Sequence, residues 1–164
     1  ISMIQSYFQA EKKGGFLAMA IGIVACAIGG GVLLSAGPPF YTGISIPLVV
    51  IGFLEILVGA KVARRSDLQA DDLEKLLAES PVEFQALESP RMAVILRNFI
   101  LLKWVEIAFI AIGLVLILLN QENNFPKGLG TGLFAQGLFM LFFDLIAEKR
   151  GKKYTEFVNN QGNK

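Results

Sequence analysis

Residues 98–119 read NFILLKWVEIAFIAIGLVLILL, and this stretch decides the fold. After its first residue it is almost wholly apolar, and an α-helix of this length reaches across the roughly 30 Å hydrocarbon core of a bilayer. It also carries two opposite charges, Lys103 and Glu106, which lie one helical turn apart. The sequence therefore predicts a membrane-spanning helix with an acid and a base inside the span.

The rest of the chain repeats this apolar pattern. Its 164 residues are 54% hydrophobic and are gathered into four apolar blocks, which is typical of a polytopic membrane protein rather than a soluble domain. The predicted fold is an all-α membrane protein whose four transmembrane helices form two antiparallel hairpins, with a short cytoplasmic helical insertion between helices 2 and 3. The predicted parts of this single domain (1–164) are an interfacial helix at 1–13, transmembrane helices at 14–35, 44–63, 98–119 and 129–147, the insertion at 66–89 and a cytoplasmic tail at 148–164.

The insertion contains three helix-start signals, because Ser66, Ser80 and Ser89 each begin a capping pattern. They predict two short surface helices, at 66–79 and 81–88, before the third transmembrane block starts at Pro90. Pro47 is expected in the first turn of the second span, where proline is tolerated. The insertion is strongly acidic, which indicates a solvated surface, with a docking face for a basic partner as the alternative.

The distribution of basic residues predicts the orientation. Of the fifteen lysines and arginines, only Lys127 lies in a connection on the far side, and all others fall near the N-terminus, in 61–103 or in the tail. The positive-inside rule then places both termini and the insertion in the cytoplasm. The expected location is the inner (plasma) membrane of a bacterial-type cell, crossed several times.

The first span predicts close helix packing. Small residues recur at every fourth position, at Ala18, Gly22, Cys26 and Gly30. Such a stripe lets a second helix approach backbone to backbone. The two predicted hairpins also share a loose pattern of glycines and inner-end acids, which leaves an internal duplication open.

Four ionisable residues lie at bilayer depth, namely Glu55, Lys103, Glu106 and Asp144. Such residues are costly in lipid and usually face the bundle interior and one another. We expect one network on the inner half of the bundle, with Lys103 within salt-bridge reach of Glu55 or Glu106. Three interpretations stay open: the network sets helix register, it binds a cation or proton, or it recognises a membrane segment of a partner.

Composition also narrows the chemistry. The chain has no histidine and a single cysteine, which argues against most zinc, haem and iron–sulfur sites and against an enzyme. We expect no cofactor, no metal site and no nucleic-acid partner, since only the tail is basic.

The sequence therefore favours a protein that acts by binding. It would be an accessory or regulatory subunit of a membrane complex, or an immunity protein against a membrane-active toxin. The expected partners are the lipid bilayer and either another membrane protein or further copies of this chain. The alternative is a small ion- or proton-coupled transporter or channel that uses the intramembrane carboxylates.

Overall fold

The structure, a computed structural model, describes residues 2–35 and 37–161. These residues form four helices and no strand, which confirms the predicted all-α class. The helices are α1 (Met3–Leu34), α2 (Pro39–Glu79), α3 (Pro81–Leu119) and α4 (Asn124–Asn159).

Each helix is longer than a membrane crossing requires. The helices contain 32, 41, 39 and 36 residues, and each includes a window that is long and apolar enough to span a bilayer. At about 1.5 Å per residue they extend roughly 48–62 Å, against a hydrocarbon core of about 30 Å. Each helix can therefore supply one span and several turns beyond it.

The segments expected to be separate surface helices prolong the spans instead. Residues 3–13 are the first turns of α1, residues 66–79 complete α2, and residues 81–89 begin α3. Pro90 therefore lies inside α3 rather than at its start. Pro47 lies inside α2 because that helix already begins at Pro39.

Two of the three predicted caps are not caps, because their hydroxyl groups donate to other partners. The Ser66 hydroxyl donates to the Val62 carbonyl at 2.8 Å, which satisfies it one turn back within the helix. The Ser89 hydroxyl donates to Oδ1 of Asn159 on α4, at 2.7 Å. Ser80 does cap a helix, because its Oγ accepts from the Glu83 N–H at 3.4 Å and Pro81 is the first residue of α3.

Glycines bring α1 and α2 together as antiparallel neighbours. Gly15 faces Gly59, Gly22 faces Gly52, and Gly29 faces the Ser45 carbonyl. A Cβ on Gly15 would stand 2.8 Å from the Gly59 carbonyl oxygen, so the two backbones leave no room for a side chain.

The contact face of α1 differs from the predicted four-residue stripe. The glycines of α1 that meet the α2 backbone are Gly15, Gly22 and Gly29, which recur every seventh residue. Of these, Gly22 also belongs to the predicted stripe. A side chain at Gly30 would meet no atom within 4 Å. Cys26 packs near the Val49 carbonyl, with its Sγ 3.5 Å from that oxygen, and Ala18 is only partly buried.

Two further glycine contacts position α4. Gly113 of α3 faces Gly130, and a Cβ on either would stand 2.6 Å from the other's carbonyl oxygen. Gly128 lies against the Phe40 backbone of α2, and Gly132 lies against Ile44. The extensive interfaces are α1–α2, α2–α4 and α3–α4, so the helices form a row in the order α1, α2, α4, α3.

The row closes into a bundle at one end. We call this the termini end, since it holds residues 3–13, 66–97 and 148–159. We call the opposite end, where α1 ends, α2 begins and residues 120–123 join α3 to α4, the loop end. A core at the termini end takes side chains from all four helices: Ile4, Tyr7, Phe8, Ala70, Leu73, Phe84, Met92, Tyr154 and Val158. The apolar half of the molecule, between this core and the loop end, instead exposes most of its large side chains.

Candidate functional site

The first candidate site is a cleft between α1 and α4. These helices touch at the termini end, where the rings of Tyr7 and Tyr154 stack with their centroids 4.2 Å apart. There Nη1 of Arg150 also donates to the Ala10 carbonyl at 3.1 Å. Toward the loop end the two helices separate, because each packs on α2 rather than on the other.

The separation leaves a groove of about 510 Å³ with α2 as its floor. We call it the α1–α4 cleft. Its apolar lining includes Ala20, Val24, Ile28, Leu48, Ala135 and Phe139. Its polar lining residues, Thr131 and Gln136, both come from α4. The cleft is therefore a mainly apolar groove with its polar groups along one wall.

Gln136 is the notable group in this lining. Its side chain is only 6% exposed, and its amide Nε2 has no hydrogen-bond partner among the described residues. Thr131, by contrast, donates its hydroxyl to the Lys127 carbonyl at 2.8 Å. A buried donor left unpaired costs about 1–3 kcal/mol. A hydrogen-bond acceptor that reached the Gln136 nitrogen would remove this cost. Gln136 was not predicted as a site residue, although a single amide between two apolar runs indicates a polar group inside the bundle.

The second candidate site contains part of the predicted charge network. Lys103 pairs with Glu148, with Nζ 2.7 Å from Oε2. Lys152 reaches the other oxygen of Glu148 at 2.8 Å. The counter-ion of Lys103 is therefore a residue that the sequence analysis assigned to the tail, rather than Glu55 or Glu106. The two neighbouring cations lower the pKa of Glu148, chiefly through their hydrogen bonds to its carboxylate.

Glu106 faces an acid across the α3–α4 interface. Its side chain is 0% exposed, and its carboxyl group lies within hydrogen-bond reach of that of Asp144. Neither oxygen of Glu106 receives a donor from the described residues. Lys103, Glu106 and Asp144 therefore lie along the same α3–α4 interface.

Glu55 lies apart from this group. It is half-buried on α2, its Oε2 has no hydrogen-bond partner among the described residues, and none of the ion pairs within residues 2–35 and 37–161 includes it. Counted along the sequence, Glu55 and Glu106 lie at similar depths in the membrane. The charged neighbours of Glu106, however, are Asp144 and Lys103 and do not include Glu55. Within the described ranges, no three acidic, cysteine or histidine side chains are placed to hold a metal ion.

A third polar cluster, at the termini end, joins α1 to α2 and lies near an ion pair within α3. Nη2 of Arg65 pairs with Glu11 at 3.2 Å, and the Tyr7 hydroxyl donates to the same carboxylate at 3.3 Å. Arg91 binds Glu88 through two hydrogen bonds, of 2.6 and 2.5 Å. The Arg65–Glu11 pair therefore crosses the α1–α2 interface, whereas the Arg91–Glu88 pair lies within α3 and meets α1 through the Phe8 ring, 5.3 Å from the Arg91 guanidinium.

Burial sets the protonation of the aromatic hydroxyls in this region. Burial raises the pKa of Tyr7, and the charge of Glu11 adds to the effect. Burial likewise raises the pKa of Tyr154, together with the charge of Glu88. Burial alone would lower the pKa of Arg91, but the hydrogen bonds and charge of Glu88 raise it on balance. The contacts of these groups suit a structural role.

Comparison with known proteins found no matching family model, no similar curated protein and no similar solved structure. The function proposed below therefore rests on the contacts and chemistry of the described residues.

Proposed function

We propose that this protein is a membrane-embedded binding module whose α1–α4 cleft receives one transmembrane helix of a partner protein. It would be an accessory or regulatory subunit of a membrane complex, or an immunity protein that occupies a helix of a membrane-active toxin. The observation that carries the proposal is the cleft, with its unpaired Gln136 amide. The basic residues favour an inner-membrane protein with both termini in the cytoplasm.

A helix suits this cleft better than a lipid chain does. A hydrocarbon tail offers no acceptor to Gln136, whereas a helix can present a side-chain oxygen or a free carbonyl. Small residues along the walls, such as Ala20, Gly132 and Ala135, permit the close approach on which helix association in membranes depends. Interhelical hydrogen bonds of this kind contribute about 0.6–2 kcal/mol.

The rest of the molecule offers a partner less. Only four residues separate α1 from α2, and four separate α3 from α4, so these connections add little chain at the loop end. The termini end is closed by its own core. The α1–α4 cleft combines a concave apolar surface with an amide that lacks a hydrogen-bond partner among the described residues.

The proposal can be tested by photocrosslinking in the native membrane. A photoreactive residue placed at Val24 or Ala135, on the two walls of the cleft, is expected to give one discrete adduct. Mass spectrometry should map that adduct to an apolar helix of another membrane protein. The control position is Trp104, which lies on α3 away from the cleft and is 67% exposed. It should give no protein adduct.

A substitution then links the adduct to the polar group. Gln136→Leu should reduce the adduct about three- to thirtyfold, in keeping with the loss of one interhelical hydrogen bond. Gln121→Leu, at an exposed position in the loop, is the matched control and should leave the yield unchanged. Adducts with lipid alone, adducts with a second copy of this chain, or an adduct indifferent to Gln136→Leu would each overturn the proposal.

A second function is favoured by one observation, the contact between the carboxyl group of Glu106, which is fully buried, and that of Asp144, which is half-buried. Intramembrane acids of this kind mark ion and proton pathways in transporters. If the protein moves ions or protons, proteoliposomes should show a flux that Glu106→Gln abolishes. The same assay with Glu55→Gln tests whether the separate acid on α2 takes part. Absence of flux in the parent protein would exclude this alternative.

A further inference from the structure

Two carboxyl groups, one buried and one half-buried, meet between α3 and α4 in the apolar half. Glu106 is 0% exposed, and its carboxyl group lies within hydrogen-bond reach of that of Asp144. No N–H or O–H group of the described residues donates to either oxygen of Glu106. Ionised carboxylates only accept hydrogen bonds, so contact between these two groups requires a proton on one of them.

The nearby bases are already engaged. Lys103 lies 2.7 Å from one oxygen of Glu148, and Lys152 lies 2.8 Å from the other. Together with Glu106 and Asp144, these groups comprise three carboxyls and two ammonium groups. A single bound proton makes the set neutral. An unbalanced charge at bilayer depth would cost about 2.5–3.5 kcal/mol on insertion scales.

We propose that Glu106 and Asp144 form a proton-binding site in which one proton is shared by the two carboxyl groups and holds α3 against α4. Binding forms one O–H bond on a carboxylate oxygen, and the second carboxylate accepts the resulting hydrogen bond. The inference does not depend on the partner-binding function, because the site lies on α3 and α4 and involves none of the cleft residues.

The surroundings favour a proton over a metal ion. The pair supplies only two carboxylates, and no group of three candidate ligands occurs among residues 2–35 and 37–161. The charged side chains that act on the pair are Lys103 on α3 and Glu148 on α4, and none from the described parts of α1 or α2 does so. Glu148 also pairs with Lys152, whose side chain is 62% exposed. We therefore expect the bound proton to exchange with water from the termini end.

Infrared spectroscopy of the protein in lipid vesicles tests the site directly. A protonated carboxyl group has a carbonyl band distinct from that of a carboxylate, and the band shifts in heavy water. In a Glu55→Gln background, which removes the other intramembrane acid, one such band is expected at neutral pH. Both Glu106→Gln and Asp144→Asn should abolish or shift it, whereas Glu122→Gln, at an exposed loop position, should leave it unchanged.

Each other result has a definite meaning. Absence of the band in the background protein would overturn the proposal. A band that survives Asp144→Asn without a shift would assign the proton to Glu106 alone and would also overturn the shared site. Loss of the band on adding sodium at constant pH would indicate a cation site instead. The double variant Glu106→Gln, Asp144→Asn keeps an amide hydrogen bond across the interface, and its circular dichroism controls for folding.

Discussion

The two halves of this molecule are built from the same four helices under opposite rules. At the termini end, large side chains such as Ile4, Phe84 and Met92 are fully buried in a common core. In the apolar half, side chains of similar size point outward, and Leu101 is 63% exposed. Water favours the first arrangement because it drives apolar surface together, whereas lipid is as apolar as the side chains and provides no such drive.

The contacts differ in the same way. The termini end is joined by aromatic rings and ion pairs, such as the stack of Tyr7 on Tyr154 and the Arg65–Glu11 pair. The apolar half is joined by backbones that meet at glycines. The bundle is therefore held together at the termini end by a core that water drives together. In the apolar half it is held by close backbone contacts, and α1 and α4 stand apart there along the α1–α4 cleft.

The largest expected effect breaks the core at the termini end. Phe84→Ala should reduce the free energy of unfolding by about 3–5 kcal/mol, because it empties a fully buried site. The matched variant in the apolar half is Phe53→Ala, where the side chain is 55% exposed. It should cost about 0.5 kcal/mol or less.

The measurement for both phenylalanine variants is unfolding in mixed micelles, followed by circular dichroism. If Phe53→Ala cost as much as Phe84→Ala, the contrast between a water-driven core and a lipid-facing surface would be wrong.

A smaller effect probes the backbone contacts of the apolar half. A Cβ at Gly22 would collide with the Gly52 carbonyl oxygen and stand 3.0 Å from the Ile56 nitrogen. Gly22→Ala should therefore force α1 from α2 and cost about 1–3 kcal/mol. Gly30→Ala is the control on the same helix, since nothing lies within 4 Å of the added atom.

The same unfolding assay separates the two glycine variants. Gly30→Ala is expected to be neutral or slightly stabilising, because alanine favours a helix over glycine. Equal losses from both variants would show that α1 and α2 are not held by the seven-residue glycine face.

These halves also explain how far the sequence could predict the fold. Four apolar blocks long enough to cross a bilayer are a strong local signal, and all four became helices. The helix ends were harder, because capping patterns such as that at Ser66 are local. The termini-end core takes Ala70 and Leu73 from the same helix as the second span, and that tertiary contact favours an unbroken α2.

The candidate site shows the same division between local and tertiary information. The spacing of Lys103 and Glu106 places them on one helix face, and depth along the chain brings Asp144 to their level. Depth alone could not tell that Glu55 faces elsewhere, since this depends on which helices become neighbours. Glu148 was overlooked because its basic surroundings resemble a solvated tail, although it lies one turn beyond Asp144 on the same face.

A pH series sharpens the comparison at the termini end. Tyr7 and Tyr154 have pKa values raised by burial above the unfolded value of about 10. Above that pH the folded state binds more protons than the unfolded state. The stabilisation is therefore fully present below about pH 10 and is lost as the pH rises further, by at most about 1.4 kcal/mol per pH unit for each tyrosine.

The double variant Tyr7→Phe, Tyr154→Phe should flatten this alkaline loss, because neither ring can then ionise. Tyr41→Phe is the control, since that side chain is 54% exposed at the loop end, and it should leave the slope as it was. The readout is the free energy of unfolding in mixed micelles at a series of pH values from 9 to about 11.5. An alkaline slope that persists in the double variant would place its origin outside the aromatic core, and the buried hydroxyls would then contribute nothing to the difference between the two ends.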